Sequence, residues 1–185
     1  MEAFSDDVIA IIITIMVLEL KVPHGADFTA IKPLFPVLLS YMLSFIYVGI
    51  YWNNHHHMVH TVKAVTAGML WANLHLLFWL SLLPFVTGWM GENHFAGLPI
   101  ALYGVMLLMA ALAYQVLQRS IIVSQGSNSV LSQAVGRDIK GKLSLFVYLA
   151  AIITANFCPW LAATLYALVA LMWLVPDKRI EAVLS

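Results

Sequence analysis

The residues of this chain that could do chemistry are a run of histidines and a pair of carboxylates. His55, His56, His57 and His60 lie close together, with His56 and His60 four apart and His57 and His60 three apart. A helix through them places two imidazoles on one face, a spacing that can hold a transition metal. A full site needs a third or fourth ligand, and no carboxylate lies within this stretch, so no metal site is expected. The cluster reads as interfacial imidazoles in water. His75, alone in an apolar run, reads as a hydrogen-bonded bundle residue and stays a candidate proton carrier. Ser5, Asp6 and Asp7 open the first apolar run, where pattern alone favours a helix cap. The functional alternatives are a carboxylate ring at a pore mouth or a polar network holding the first helix to its neighbours.

No enzyme signature accompanies these groups. There is no Ser/His/Asp set, no His-Glu-x-x-His, no glycine-rich phosphate loop, and no paired carboxylates beyond Asp6-Asp7. The expectation is a non-enzyme without cofactors. The 185 residues are 62% hydrophobic and 10% charged, with mean hydropathy +0.90. A soluble domain carries about 25% charged residues, so the solvent of this chain is a lipid bilayer. Nine basic residues balance nine acidic ones, which argues against a nucleic-acid partner. The single cysteine, Cys158, excludes an internal disulfide; it precedes Pro159 in an apolar run and reads as a buried, inert thiol. The acidic start and the lack of a small-residue cleavage site predict that the first apolar segment is retained as a span.

These groups need elements to position them. Spanning helices need about 20 mainly apolar residues, and six stretches qualify: about 4–20, 33–52, 67–90, 97–118, 142–157 and 160–175. Pro33 and Pro36 suit the first turn of the second, which can run on to about Lys63 as an aqueous extension. Pro84 is a kink candidate in the third. The polar stretch 124–141 predicts a solvated loop with room for a short interfacial helix. The last two spans are short, and Pro159 between them predicts a tight hairpin or, alternatively, one broken or re-entrant helix. An inside N-terminus places Lys63, Arg119, Arg137, Lys140, Lys142, Lys178 and Arg179 inside, and only Lys21 and Lys32 outside. That bias predicts both termini in the cytoplasm. The fold class is all-α: a polytopic membrane protein of one six-helix domain, residues 1–185.

Within the first span, Val8 to Leu18 is almost unbroken apolar sequence. Ile11, Ile15 and Leu18 fall at i, i+4 and i+7, one narrow face of a helix. By pattern alone that stripe is a helix-packing seam. Thr14 hides its hydroxyl by bonding a carbonyl one turn earlier.

Phe4-Ser5-Asp6, followed by Ala10-Ile11, Thr14 and Val17-Leu18-Glu19, resembles the first helix of the transmembrane protein 175 family of potassium channels. The family signature is Arg-x-x-x-Phe-Ser-Asp, and its arginine would fall one position before Met1. Trp52-Asn53-Asn54-His55 resembles the family's Trp-x-x-His element, and Asn73 and Leu83-Pro84-Phe85 fit less specifically. Asp7 departs from the pattern, which has a small residue there.

The resemblance implies a homotetramer in the cell membrane, with four first helices lining a central path for K+. It implies a constriction at Ile11, Ile15 and Leu18, with Thr14 about 60° around the helix from Ile11 adding a hydroxyl ring at its edge. Phe4, Ser5, Asp6, Trp52, His55 and Asn73 then form a structural or gating network joining the first helix to its neighbours. The carbonyl filter Thr-Val-Gly-Tyr-Gly of ordinary potassium channels is absent here too. Selectivity would therefore rest on the easier dehydration of K+ and be modest. The competing reading is a proton-coupled transporter, or a proton pathway through His75, the histidine cluster and Asp6; a third is a membrane scaffold without transport.

Overall fold

In a computed structural model, residues 1–126, 129, 131–132 and 138–174 are described, and every regular element among them is a helix. The helices are α1 (Glu2–Leu18), α2 (Phe28–Ile31), α3 (Phe35–His60), α4 (Ala67–Ser81), α5 (Leu83–Glu92), α6 (Gly97–Gln125), α7 (Ile139–Thr154) and α8 (Pro159–Leu174). A single 3-10 turn, Lys32–Leu34, leads from α2 into α3, with Pro33 and Pro36 each in a first turn where no N–H is needed. Among the described residues, three stretches are long and apolar enough to cross a bilayer: Phe28–His60, Ala67–Glu92 and Gly97–Gln125. The helices α1, α7 and α8 are shorter, at 17, 16 and 16 residues.

Local chemistry sets the ends. Asp27, Thr66 and Asp138 each accept a backbone N–H as the cap of α2, α4 and α7. The long helix α6 runs past Arg119 because Leu117 and Ile121 continue its buried face, and it stops at Gly126, whose φ of 90° few other residues adopt. Pro84 divides α4 from α5, since a proline inside a helix removes an N–H and crowds the preceding turn. The expected interfacial helix in 124–141 falls largely outside the described residues, as do Arg137, Lys178 and Arg179.

Contacts at the helix ends alternate from one end of the bundle to the other. Glu2 of α1 meets His56 and His60 at the end of α3, and Gly68 of α4 approaches Ser120 of α6. At the opposite end, Lys21 after α1 pairs with Glu92 at the end of α5. Gly91 there lies against Val37 of α3, and Gly97 of α6 lies against Ala155 after α7. The Glu92 hydrogen bond raises the Lys21 pKa.

The core is stitched by polar groups, because a helix pair in lipid gains little from apolar burial. Ser44 of α3 shares hydroxyl hydrogen bonds with Thr87 of α5 at 2.6 Å and Tyr103 of α6 at 3.1 Å. The Tyr47 hydroxyl donates to the Tyr166 carbonyl at 2.7 Å, and the Tyr166 hydroxyl donates to the Ile100 carbonyl at 3.2 Å. Small buried residues, among them Ala110, Ala151, Ala155 and Ala162, bring α6, α7 and α8 together. A tight turn, Ala155 to Cys158, joins α7 and α8, which pack together, with the Trp173 indole donating to Ser144 Oγ at 2.8 Å.

That turn corrects one expectation. Cys158 is exposed, where a buried thiol is the sequence reading. Its carbonyl accepts the N–H groups of Leu161 and Ala162 at the start of α8, which places it in the turn outside both helices, with its side chain open among the described residues.

Gly104 of α6 lies directly against the Tyr166 side chain of α8: a Cβ there would run into the Tyr166 hydroxyl and ring. Gly104→Ala is expected to cost about 1–3 kcal/mol by overpacking, read as a lower apparent Tm of the detergent-solubilised protein. An unchanged Tm would contradict the close packing.

Candidate functional site: the first helix and its polar anchor

The first helix has two faces with different surroundings. Ser5, Ile9, Ile12 and Met16 are buried against α3, α4 and α5. Ile11, Ile15 and Leu18 lie on the other side, 55%, 43% and 78% exposed. At 100° per residue the two faces are centred about 120° apart. The packing seam expected for the stripe on pattern alone is therefore made by other residues. Thr14 is also exposed, and its hydroxyl donates to the Ile11 carbonyl at 2.8 Å, the back-bond that the sequence predicts. A shallow apolar groove runs beside the stripe, lined by Val8, Ile11, Ile15, Pro84 and Phe85 among others.

A directional hydrogen-bond chain fixes which face turns inward. His55 Nε2 lies 2.7 Å from Asn73 Oδ1. Asn73 Nδ2 donates to Ser5 Oγ at 2.8 Å, and the Ser5 hydroxyl donates to the Met1 carbonyl at 3.0 Å. Because the Asn73 oxygen accepts, the His55 proton sits on Nε2, which leaves Nδ1 bare; that atom is buried without a partner. All three side chains are at most 2% exposed. The chain links α1, α3 and α4 in one buried relay.

A second, more exposed link lies beside it. The Trp52 indole N–H donates to Asp6 Oδ1 at 3.1 Å, joining α3 directly to α1. One turn toward the end of the bundle, Glu2 Oε1 lies 3.3 Å from His56 Nδ1 and 3.1 Å from His60 Nε2. Since α1 and α3 run antiparallel, the pairs Asp6–Trp52 and Glu2–His56/His60 are successive rungs of one ladder.

This geometry revises two sequence expectations. Ser5 is not a cap: α1 begins at Glu2, Met1 is its N-cap residue, and no side chain caps it. The Ser5 hydroxyl turns back into the first turn and outward to Asn73. Nor does the histidine run stand without a carboxylate, because Glu2 arrives from a helix distant in sequence. Phe4, whose ring has no hydrogen-bonding group, is 55% exposed. His75 stands apart, on the exposed side of α4, where its Nε2 accepts the Trp79 indole N–H at 2.9 Å. Among the described residues no hydrogen bond carries it toward Asp6 or the histidine cluster.

The arrangement defines a multi-pass helical membrane protein whose first helix is locked on one face and carries a bare aliphatic stripe on the other. Comparison with known proteins gives the family. The family model for the "Endosomal/lysosomal potassium channel TMEM175" matches residues 1–84. A protein from Chryseobacterium sp. (strain P1-3), described as a potassium channel, is 56% identical over 181 residues, covering 98% of this chain and 94% of that protein. Another so described, from Streptomyces collinus, is 33% identical over 124 residues, 63% of this chain and 60% of its own length. The fold matches a crystal structure described as a lysosomal potassium-selective channel TMEM175 homolog from Chamaesiphon minutus, with a TM-score of 0.82, 24% identity and 95% of each chain covered. The chain belongs to the TMEM175 potassium channel family.

The buried relay is directly testable. Asn73→Ala leaves the His55 donor unpaired and removes the amide donor from Ser5 Oγ, whose own bond to the Met1 carbonyl stays, and the buried unpaired donor costs about 1–3 kcal/mol. The loss reads as a lower Tm, and a double-mutant cycle with Ser5→Ala should show strong coupling. Additive losses would contradict a shared relay.

Proposed function

We propose that this chain forms a potassium-preferring cation channel in the cell membrane, with four copies of α1 around a common axis. What carries the reading is that Ile11, Ile15 and Leu18 stay exposed on a helix whose opposite face is held by a buried polar relay. An aliphatic stripe so placed faces either lipid or other copies of itself. Family membership favours the second, and the groove beside the stripe offers room for a neighbouring chain.

In this arrangement the chain crosses the membrane six times, with α4 and α5 as one bent crossing and both termini in the cytoplasm. Residues 1–185 then act as one channel domain. Ile11 forms the principal constriction, followed by Ile15 and Leu18, and Thr14 places a hydroxyl ring at its edge. Rings of four branched aliphatics are too narrow for a well-hydrated ion and gate by dewetting. An ion that passes must shed water, which costs K+ less than Na+. With no carbonyl cage to replace the lost shell, the preference for K+ is modest.

The ladder of Asp6–Trp52 and the relay of Ser5, Asn73 and His55 set the tilt and rotation of the pore helix in this reading. They are structural and gating residues, and Phe4 packs outside them. A proton pathway is less well supported, since His75 and the Ser5–Asn73–His55 chain lie on separate faces and His55 is committed to Asn73.

Ile11→Asn is expected to raise single-channel conductance in planar bilayers and to weaken the K+ over Na+ preference. Currents and ion ratios identical to wild type would contradict the constriction. Asp6→Ala should reduce open probability or the yield of folded protein while leaving the K+/Na+ ratio of the remaining currents intact. A change confined to that ratio would place Asp6 in the filter instead.

A further inference from the structure

We propose that Glu2, His56 and His60 form a binding site for a divalent transition metal of the zinc class, stapling the start of α1 to the last turn of α3. Each residue presents one ligand atom, and the three atoms lie within 4.8 Å of one another. The two imidazole nitrogens are 3.3 Å and 3.1 Å from the same carboxylate oxygen, Glu2 Oε1. Two ligands bound about 2.0–2.1 Å from a tetrahedral zinc ion stand about 3.3 Å apart, so the two carboxylate–imidazole spacings already match two edges of that polyhedron.

The orientation of His56 points the same way. Its Nδ1 is shielded from solvent and makes no hydrogen bond, although the carboxylate oxygen is near. The nitrogen faces the oxygen without the alignment that an N–H donor requires, which suits two lone pairs converging on a shared ion. The imidazoles of His56 and His60 meet edge to face, with centroids 4.5 Å apart, so both rings reach one point without stacking. His57, beside His56 on the helix, is not one of the three.

Two imidazoles and one carboxylate are a donor set that zinc favours, and three protein ligands leave a fourth position for water. The site sits at a helix end, with His60 exposed and Glu2 half-buried, so a hydrated cation can reach it from the aqueous side. It occupies the outer rung of the ladder whose inner rung is Asp6–Trp52. A bound ion would turn that rung from a pair of weak polar contacts into coordinate bonds.

The test uses purified, tag-free full chain in detergent, stripped of metal and titrated with Zn2+ by calorimetry, with thermal unfolding in parallel. Wild type and the control His57→Ala should bind about one Zn2+ per chain and gain apparent Tm by mass action. Glu2→Gln and His60→Ala should each weaken binding at least about tenfold, since even the partners of metal ligands are worth that much, and the gain in Tm should vanish. X-ray absorption on Zn2+-loaded wild type should show two imidazole ligands, a readout that needs no variant to fold. Binding unaltered in both variants, fewer than two imidazoles at the metal, or no Zn2+ uptake by wild type would overturn the site and leave a plain carboxylate–imidazole contact. These readouts involve no ion current, so they stand or fall apart from the channel reading.

Discussion

The hydrogen-bond chain from His55 through Asn73 to Ser5 is the constraint on which the first helix depends. A helix as uniformly apolar as Val8–Leu18 has little to choose one face over another in lipid, because packing against other helices and packing against acyl chains differ only slightly. Ser5 breaks that degeneracy. Its hydroxyl finds Asn73 only when Ile9, Ile12 and Met16 follow it into the bundle, and this rotation turns Ile11, Ile15 and Leu18 outward. The polar anchor at one end thus decides what the aliphatic residues further along can do.

The same logic runs through the rest of the bundle. Ser44, Thr87, Tyr47, Tyr103 and Tyr166 fix the rotation of α3, α5, α6 and α8 about one another, each hydroxyl paired across a helix boundary. Small residues at the crossings let the backbones come close enough for those bonds to form. Such a scaffold is rigid around α1 while leaving its outer face unpacked, a division suited to a helix that works between chains.

Much of this was legible from the residues. Apolar runs bounded by Pro33 and Pro159 locate helices because those residues act locally, and Thr14 finds its carbonyl within its own turn; the helix from Gly97 runs on to Gln125, past the end expected near residue 118. Long-range partners were not legible. Ser5 at a helix start looks like a cap until Asn73 is brought beside it, and Glu2 has no visible connection to His56 and His60 until α1 and α3 lie antiparallel. Periodicity identified the Ile11/Ile15/Leu18 face but could not say which way it points, since packing, lipid and a shared axis all accept the same side chains. Cys158 was misjudged because its apolar neighbours suggest a core, whereas the turn it belongs to projects beyond one.

The central claim is that the exposed face of α1 meets its counterparts in other chains around an ion path. The most direct measurement is oxidative crosslinking of Ile11→Cys in a Cys158→Ser background, followed in membranes by gel mobility and by K+ current. The account predicts disulfide-linked dimers between chains, with a current that falls on oxidation and returns on reduction. Chains that remain monomeric under oxidation, with unaltered current, would mean that the stripe faces lipid.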